Sequence, residues 1–280
     1  MTTGVVRAAM WRAVLRGEIR CLYRPVVDLA SGAPVGAEVV VRWSRREGIV
    51  QMPEEVLRSA DARGVARALG RFVLERACNE AASWPAPEGR WFGVWVGVSR
   101  PQLEDGRLVD DVGRALLRSG LDPSRLVVEL AGSALLVDLA GAAGQLAALR
   151  GAGVHVALDE LGTGCSSLER LVRLPSDTVK VEPSLVAGLR ADGRSRAMVA
   201  ALVELGRRLG LRVVAEGIEH EEQRAVLEAL GCHLGQGPHF GPPVEGRELL
   251  DLFAPDPGPP RLGVEVVGER QPSRLPARQA

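Results

Sequence analysis

The chain has 280 residues, 46% of them hydrophobic and 25% charged, and its 35 basic and 35 acidic side chains cancel to a formal charge of zero. That balance leaves no electrostatic footprint for nucleic acid or an anionic membrane as the main partner, so any phosphate binding has to be local. The four cysteines, Cys21, Cys78, Cys165 and Cys232, are scattered and form no CxxC pair, which points away from a zinc centre or a disulfide framework and toward reduced, mostly buried thiols.

Along the first twenty residues the apolar positions are interrupted by Arg7, Arg12 and Arg16. A signal peptide or spanning helix needs a continuous apolar run, so a cytoplasmic protein is expected. Residues 1–19 are taken as a helical lead-in, with a short amphipathic helix ending over 10–15. A first strand follows over 20–28, and the turn at LASGAP, punctuated by Gly32 and Pro34, leads into a second strand over 35–41. The hairpin spacing makes these two strands antiparallel. Helical patterns over 54–63 and 65–83 are split by Gly64, and the run PAPEG closes the second.

A third strand is predicted over 91–98, then a helix opened by Pro101 and stopped near Gly120. A fourth strand covers 126–130, a helix 137–150, and a fifth strand 154–158. A sixth strand at 178–181 is followed by a helix over 194–209, a strand over 211–215, a helix over 221–230 and a last strand at 233–236. Strands alternating with helices argue for parallel pairing. Eight such strands fit a closed α/β barrel of the (β/α)8 type, whose functional face lies at the C-terminal strand ends. The barrel is assigned to residues 20–254. Residues 255–280, rich in Pro, Gly and Arg without periodicity, are expected to form a disordered tail.

Glu129, Asp159, Lys180, Glu216 and Gln236 all fall at C-terminal strand ends. Lys180 is the only lysine in the sequence, and it sits in an apolar run, which sets it apart from a solvated surface cation. Glu38 lies among apolar residues in the second strand, which ends in Arg42 and Trp43. Carboxylates at 38, 129, 159, 160 and 216 with no His or Cys in the pattern favour Mg²⁺ or Mn²⁺ over Zn²⁺, and Arg42 offers a fork suited to phosphate. Together these groups form the kit for metal-assisted phosphodiester hydrolysis.

Read together, the segments Glu38-Val-Val-Val-Arg42-Trp43, Asp159-Glu-Leu-Gly-Thr-Gly164 with Ser166-Ser-Leu168, Leu174-Pro175, Asp177 to Glu182, Ala215-Glu-Gly-Ile-Glu219, Gly231-Cys232 and Gln236-Gly237 resemble the EAL domains, which bind and often hydrolyse cyclic di-GMP. The resemblance implies a modified barrel whose first strand runs against the others. It also implies Glu38, Glu129 and Asp159 as metal ligands, with Glu160 reaching toward a second ion. Lys180 would position or help deprotonate the attacking water, Glu216 and Gln236 would support that cluster, and Arg42 would grip a phosphate. Dimerisation is common in the family.

The departures from the family pattern fall on the catalytic parts. Gly97 occupies the place of a metal-binding Asn, Glu160 and Glu182 replace aspartates, Gly132 replaces a Glu that braces the acidic loop, His233 replaces an Asp, and Arg24 replaces a Gln. Arg24 adds a cation that could hold phosphate. The reading is a domain that binds cyclic di-GMP with hydrolysis weakened or lost. An active phosphodiesterase using Mg²⁺ or Mn²⁺, or a module that binds a protein partner without nucleotide, are the alternatives.

Overall fold

The computed structural model describes residues 12–13, 16–45, 48–51, 63–84, 91–130, 139–161, 171–191 and 193–251. Residues 54–62 of the predicted helix over 54–63, most of that over 10–15, Gly132, the loop after Leu161 and the tail lie outside these residues. The strands are β1 (Ile19–Asp28), β2 (Pro34–Arg45), β3 (Gly48–Gln51), β4 (Gly93–Val98), β5 (Leu126–Leu130), β6 (His155–Leu161), β7 (Thr178–Val181), β8 (Arg212–Ala215) and β9 (Leu234–Gly235). They pair in the order β1-β9-β8-β7-β6-β5-β4-β2-β3, and a further β1–β2 pairing closes the ring.

Eight strands therefore form the barrel, with β3 added outside it on β2. β1 is antiparallel to both β2 and β9, and every other neighbouring pair in the ring is parallel. The hairpin at Gly32, with φ of 68°, reverses the chain before any crossover helix intervenes. From β4 onward helical connections impose parallel pairing.

Valine-rich runs such as Leu126-Val-Val-Glu-Leu130 are buried along their whole length, as strands covered on both faces require. One set of side chains packs outward against the helices, including Val96, Val128, Val156 and Val179. Alternate positions fill the lumen, where Val26, Trp95, Val127, Ala157 and Val214 pack together. Trp95 is the largest of these, and Gly36 makes room for it, since a Cβ there would lie 2.4 Å from the Trp95 ring. This plug closes the barrel below the polar layer.

The helices are α1 (Arg63–Ala82), α2 (Arg100–Glu104), α3 (Leu108–Ser119), α4 (Leu139–Gly151), α5 (Pro183–Ala187), α6 (Gly193–Arg208), α7 (Glu221–Ala229) and α8 (Gly246–Asp251). Gly64 lies inside the first turn of α1 and does not interrupt it. The single helix expected from Pro101 is two helices, because Gly106 adopts a φ of 69° that ends α2. α3 carries Asp110 and Asp111 in its first turn and Arg118 in its last, complementing the helix dipole. It stops at Gly120 in the left-handed region, as the sequence pattern predicts. β3, α5 and α8 are additions to the predicted elements.

Cys21, Cys78 and Cys232 are free. Burial pushes each thiol up to about 12, which keeps it protonated and inert at neutral pH. No helix among the described residues is long and apolar enough to cross a membrane.

Candidate functional site

The polar layer sits directly above the lumen plug, because side chains on one strand alternate and residues two apart share a face. Glu129 is two residues beyond Val127, Lys180 two beyond Thr178, Glu216 two beyond Val214, and Asp159 two beyond Ala157. β5, β6 and β8 thus present an apolar residue to the plug, β7 presents the buried Thr178, and all four strands present a charged residue to the mouth. Gly97, two beyond Trp95, pairs with Glu129 in register.

Lys180 is fully buried at the centre of this layer. Its Nζ lies 2.8 Å from Glu216 Oε1, 3.1 Å from Glu129 Oε1 and 3.6 Å from Glu38 Oε1. Gln236, also fully buried, donates from Nε2 to Glu38 Oε2 and to Glu216 Oε1, both at 2.6 Å. Its backbone is pinned from both sides, the N–H donating to Ala215 O and the carbonyl accepting from Ile218 N. The sequence prediction that five strand ends converge is met here by contact for Lys180, Glu129, Glu216 and Gln236, with Glu38 joining from the middle of β2. Asp159 joins them electrostatically, its charge acting on Glu129, Lys180 and Glu216.

Burial drives the Glu129 carboxyl well above the usual carboxylate range. Lys180 opposes the shift, and the charges of Glu38, Asp159 and Glu216 add to it. The Glu216 carboxyl is pushed up to about 7, again chiefly by burial and against the pull of Lys180. Burial acts to lower Lys180, but the four surrounding carboxylates outweigh it and hold the ammonium charged.

A carboxyl with a raised value binds more protons in the folded than in the unfolded chain. Folding stability will therefore fall as pH climbs from about 4.5 to about 7, and Glu216→Gln will flatten that slope. Thermal melts of parent and variant across this window check it, and parallel slopes would refute it. Asp28, Asp122 and Asp177 shift the other way, below 3.8, so their losses on acidification lie at lower pH.

Two positioning features were only partly legible. Asp177, immediately before β7, accepts from Arg150 Nη2 at 2.7 Å and from the Val156 N–H at 2.9 Å, which fixes the lysine strand against β6. The signal was an arginine in the last turn of α4 facing an aspartate just before a strand. Gly217, after Glu216, has a φ of 72°, and a Cβ there would meet Pro183 Cβ at 2.7 Å, so the close approach of α5 requires glycine.

Arg42 is half-buried, and its guanidinium donates to Val41 O at 3.1 Å. Burial lowers its pKa, with the charge of Arg24 as the second cause, so the two cations are neighbours. Arg24, expected to hold phosphate, has its Nη1 3.5 Å from Glu38 Oε2. Glu160 is described only through its backbone in β6.

The donors match a hard cation in kind. They are oxygen-only, and Glu129 Oε1 and Gln236 Oε1 are buried without a hydrogen-bond partner, a state that a cation or water would relieve. In this arrangement the carboxylates close on Lys180, whose contacts are ion pairs by distance without hydrogen-bond alignment. Among the described residues no three His, Cys, Asp or Glu groups are spaced to hold an ion.

An eight-stranded α/β barrel with one reversed strand and a lysine-centred acidic mouth defines the class. The EAL domain profile matches residues 7–243, and the chain belongs to the EAL domain family. It is 34% identical over 243 residues to the bifunctional diguanylate cyclase/cyclic di-GMP phosphodiesterase MucR of Pseudomonas aeruginosa, covering 87% of this chain and 36% of that protein. A structure of the PaMucR phosphodiesterase in complex with c-di-GMP matches with a TM-score of 0.80 and 34% identity, covering 88% of this chain and 99% of the other. The calcium/cy-diGMP complex of Klebsiella pneumoniae BlrP1 at pH 8.0 matches with a TM-score of 0.70 and 27% identity, covering 81% and 56%. The chain spans about a third of the length of the curated relatives it matches.

Proposed function

We propose that this domain binds cyclic di-GMP at the C-terminal mouth of the barrel and hydrolyses it slowly or not at all. The observation that carries the second half is Gly97. It lies beside Glu129 in the strand register, is exposed at the mouth, and has nothing within 4 Å of where a Cβ would stand. The resemblance puts a side-chain ligand there, and this chain has open space. Cyclic di-GMP is carried by the relatives: PaMucR and BlrP1 were each solved with it.

By resemblance Glu38, Glu129 and Asp159 would hold Mg²⁺ or Mn²⁺, with Glu160 toward a second ion, once the carboxylates open from Lys180 to a spacing they do not have in this arrangement. When bound, such a cation supplies Lewis-acid stabilisation of charge on the phosphodiester and favours ionisation of nearby water. Lys180 contributes a fixed ammonium that orients a water and offsets negative charge gathering at the phosphorus. Gln236 holds Glu38 and Glu216 in place through its two donated hydrogen bonds, and Arg42 and Arg24 supply guanidinium groups for phosphate at the rim. With glycine at 97 an octahedral ion loses one protein donor. Misplacement of reacting groups by about 1 Å can cost on the order of 10²-fold in rate.

The intact contact set of Lys180 with Glu129, Glu216 and Glu38 favours a second reading, a working phosphodiesterase that releases a linear dinucleotide. Chromatography of cyclic di-GMP incubated with the full chain and Mn²⁺ separates the two. Little or no linear product over hours, against rapid conversion by an active relative, is expected; rapid conversion by the parent would sustain the second reading.

A further inference from the structure

Both oxygens of Glu38 face cationic or donor groups, and these come from different strands. Its Oε1 lies 3.6 Å from Lys180 Nζ. Its Oε2 accepts from Gln236 Nε2 at 2.6 Å and faces Arg24 Nη1 at 3.5 Å. Arg24 and Glu38 are direct cross-strand partners in the β1–β2 register, so the guanidinium reaches the carboxylate without crossing the mouth.

The two cations differ in freedom. The Lys180 side chain is 1% exposed and is gripped more closely by Glu129 and Glu216 than by Glu38, whereas Arg24 is 33% exposed and its Glu38 contact is long. A long, solvent-accessible ion pair is worth little and exchanges readily. If a cation is to be taken up by Glu38, the group that yields is Arg24. Arg42, whose guanidinium donates to Val41 O, lies near enough to feel its charge, and Arg24 released from Glu38 beside it would give two guanidinium groups that suit the two oxygens of a phosphodiester.

We infer that Arg24 is an exchangeable counter-ion: it holds Glu38 in the metal-free domain, and a divalent cation arriving at Glu38 releases it to the phosphate of the ligand. The inference rests on the reading above that this mouth takes both a divalent cation and cyclic di-GMP. Metal and nucleotide then bind with positive coupling, each removing a competitor of the other.

Binding of Mn²⁺ to the nucleotide-free full chain, read from loss of the free-ion electron paramagnetic resonance signal, tests it. Arg24→Gln, which keeps polarity and removes charge, will bind Mn²⁺ about twofold to fivefold more tightly than the parent, while Arg24→Lys will stay near the parent value. In the second arm, Arg24→Gln will lose most of the gain in cyclic di-GMP affinity that Ca²⁺ gives the parent. Equal or weaker Mn²⁺ binding by Arg24→Gln, equal tightening in Arg24→Lys, or no Mn²⁺ binding by either protein would overturn the exchange. Failure of the parent to bind cyclic di-GMP overturns the ligand reading instead, because the Mn²⁺ arm contains no nucleotide.

Discussion

Lys180→Met will destabilise the domain by about 3–5 kcal/mol, the range for removing one partner from a buried ion pair. The lysine is fully buried and faces Glu216, Glu129 and Glu38 within 3.6 Å. Methionine keeps roughly the volume and leaves those carboxylates facing each other in a desolvated layer. Part of the cost is recovered by protonation, so the deficit will shrink as pH is lowered and Glu129 and Glu216 take up protons. Adding Glu129→Gln to Lys180→Met will recover part of the loss at neutral pH, since the two sites are coupled. Denaturant unfolding of the two single variants and the double variant at two pH values reads all of this. A Lys180→Met protein as stable as the parent would mean that the ammonium does not neutralise the cluster.

Gly97→Asn will raise hydrolysis of cyclic di-GMP by about tenfold or more with Mg²⁺ or Mn²⁺. The position tolerates the side chain, because a Cβ meets nothing within 4 Å and the φ of Gly97 is not among the positive values. The added carboxamide lands on the face shared by Trp95 and Glu129, over the mouth. Combining it with Gly132→Glu, which returns a brace to the acidic loop by resemblance, will raise the rate further. The measurement is initial rate of linear dinucleotide formation by parent and variants under one metal concentration. No gain in a variant that binds the ligand would count against the missing donor as the source of low activity.

The barrel and its reversed first strand were legible because the chain alternates short apolar runs with helices and places Gly32 between its first two strands and Pro34 at the start of the second. The site was legible because Lys180 is the only lysine and lies at the end of a buried run. Other features depend on contacts that no local pattern carries. Gln236 links Glu38 to Glu216 across 198 and 20 residues of sequence, and nothing near Gln236 signals that bridge. Arg24, the cation standing where the family pattern has a Gln, was expected to hold phosphate, yet its partner across the β1–β2 register is Glu38. β3 is only four residues long, too short for a period to emerge, and the break between α2 and α3 turns on Gly106, which a helical window absorbs.

Calorimetric titration of cyclic di-GMP into the full chain, once in Ca²⁺ and once in EDTA, tests the central claim most directly. Ca²⁺ separates binding from turnover. Saturable heat with micromolar or tighter affinity in Ca²⁺, weaker in EDTA, is the predicted result. No heat and no thermal shift at high micromolar nucleotide in either condition would contradict cyclic di-GMP as the ligand of this barrel.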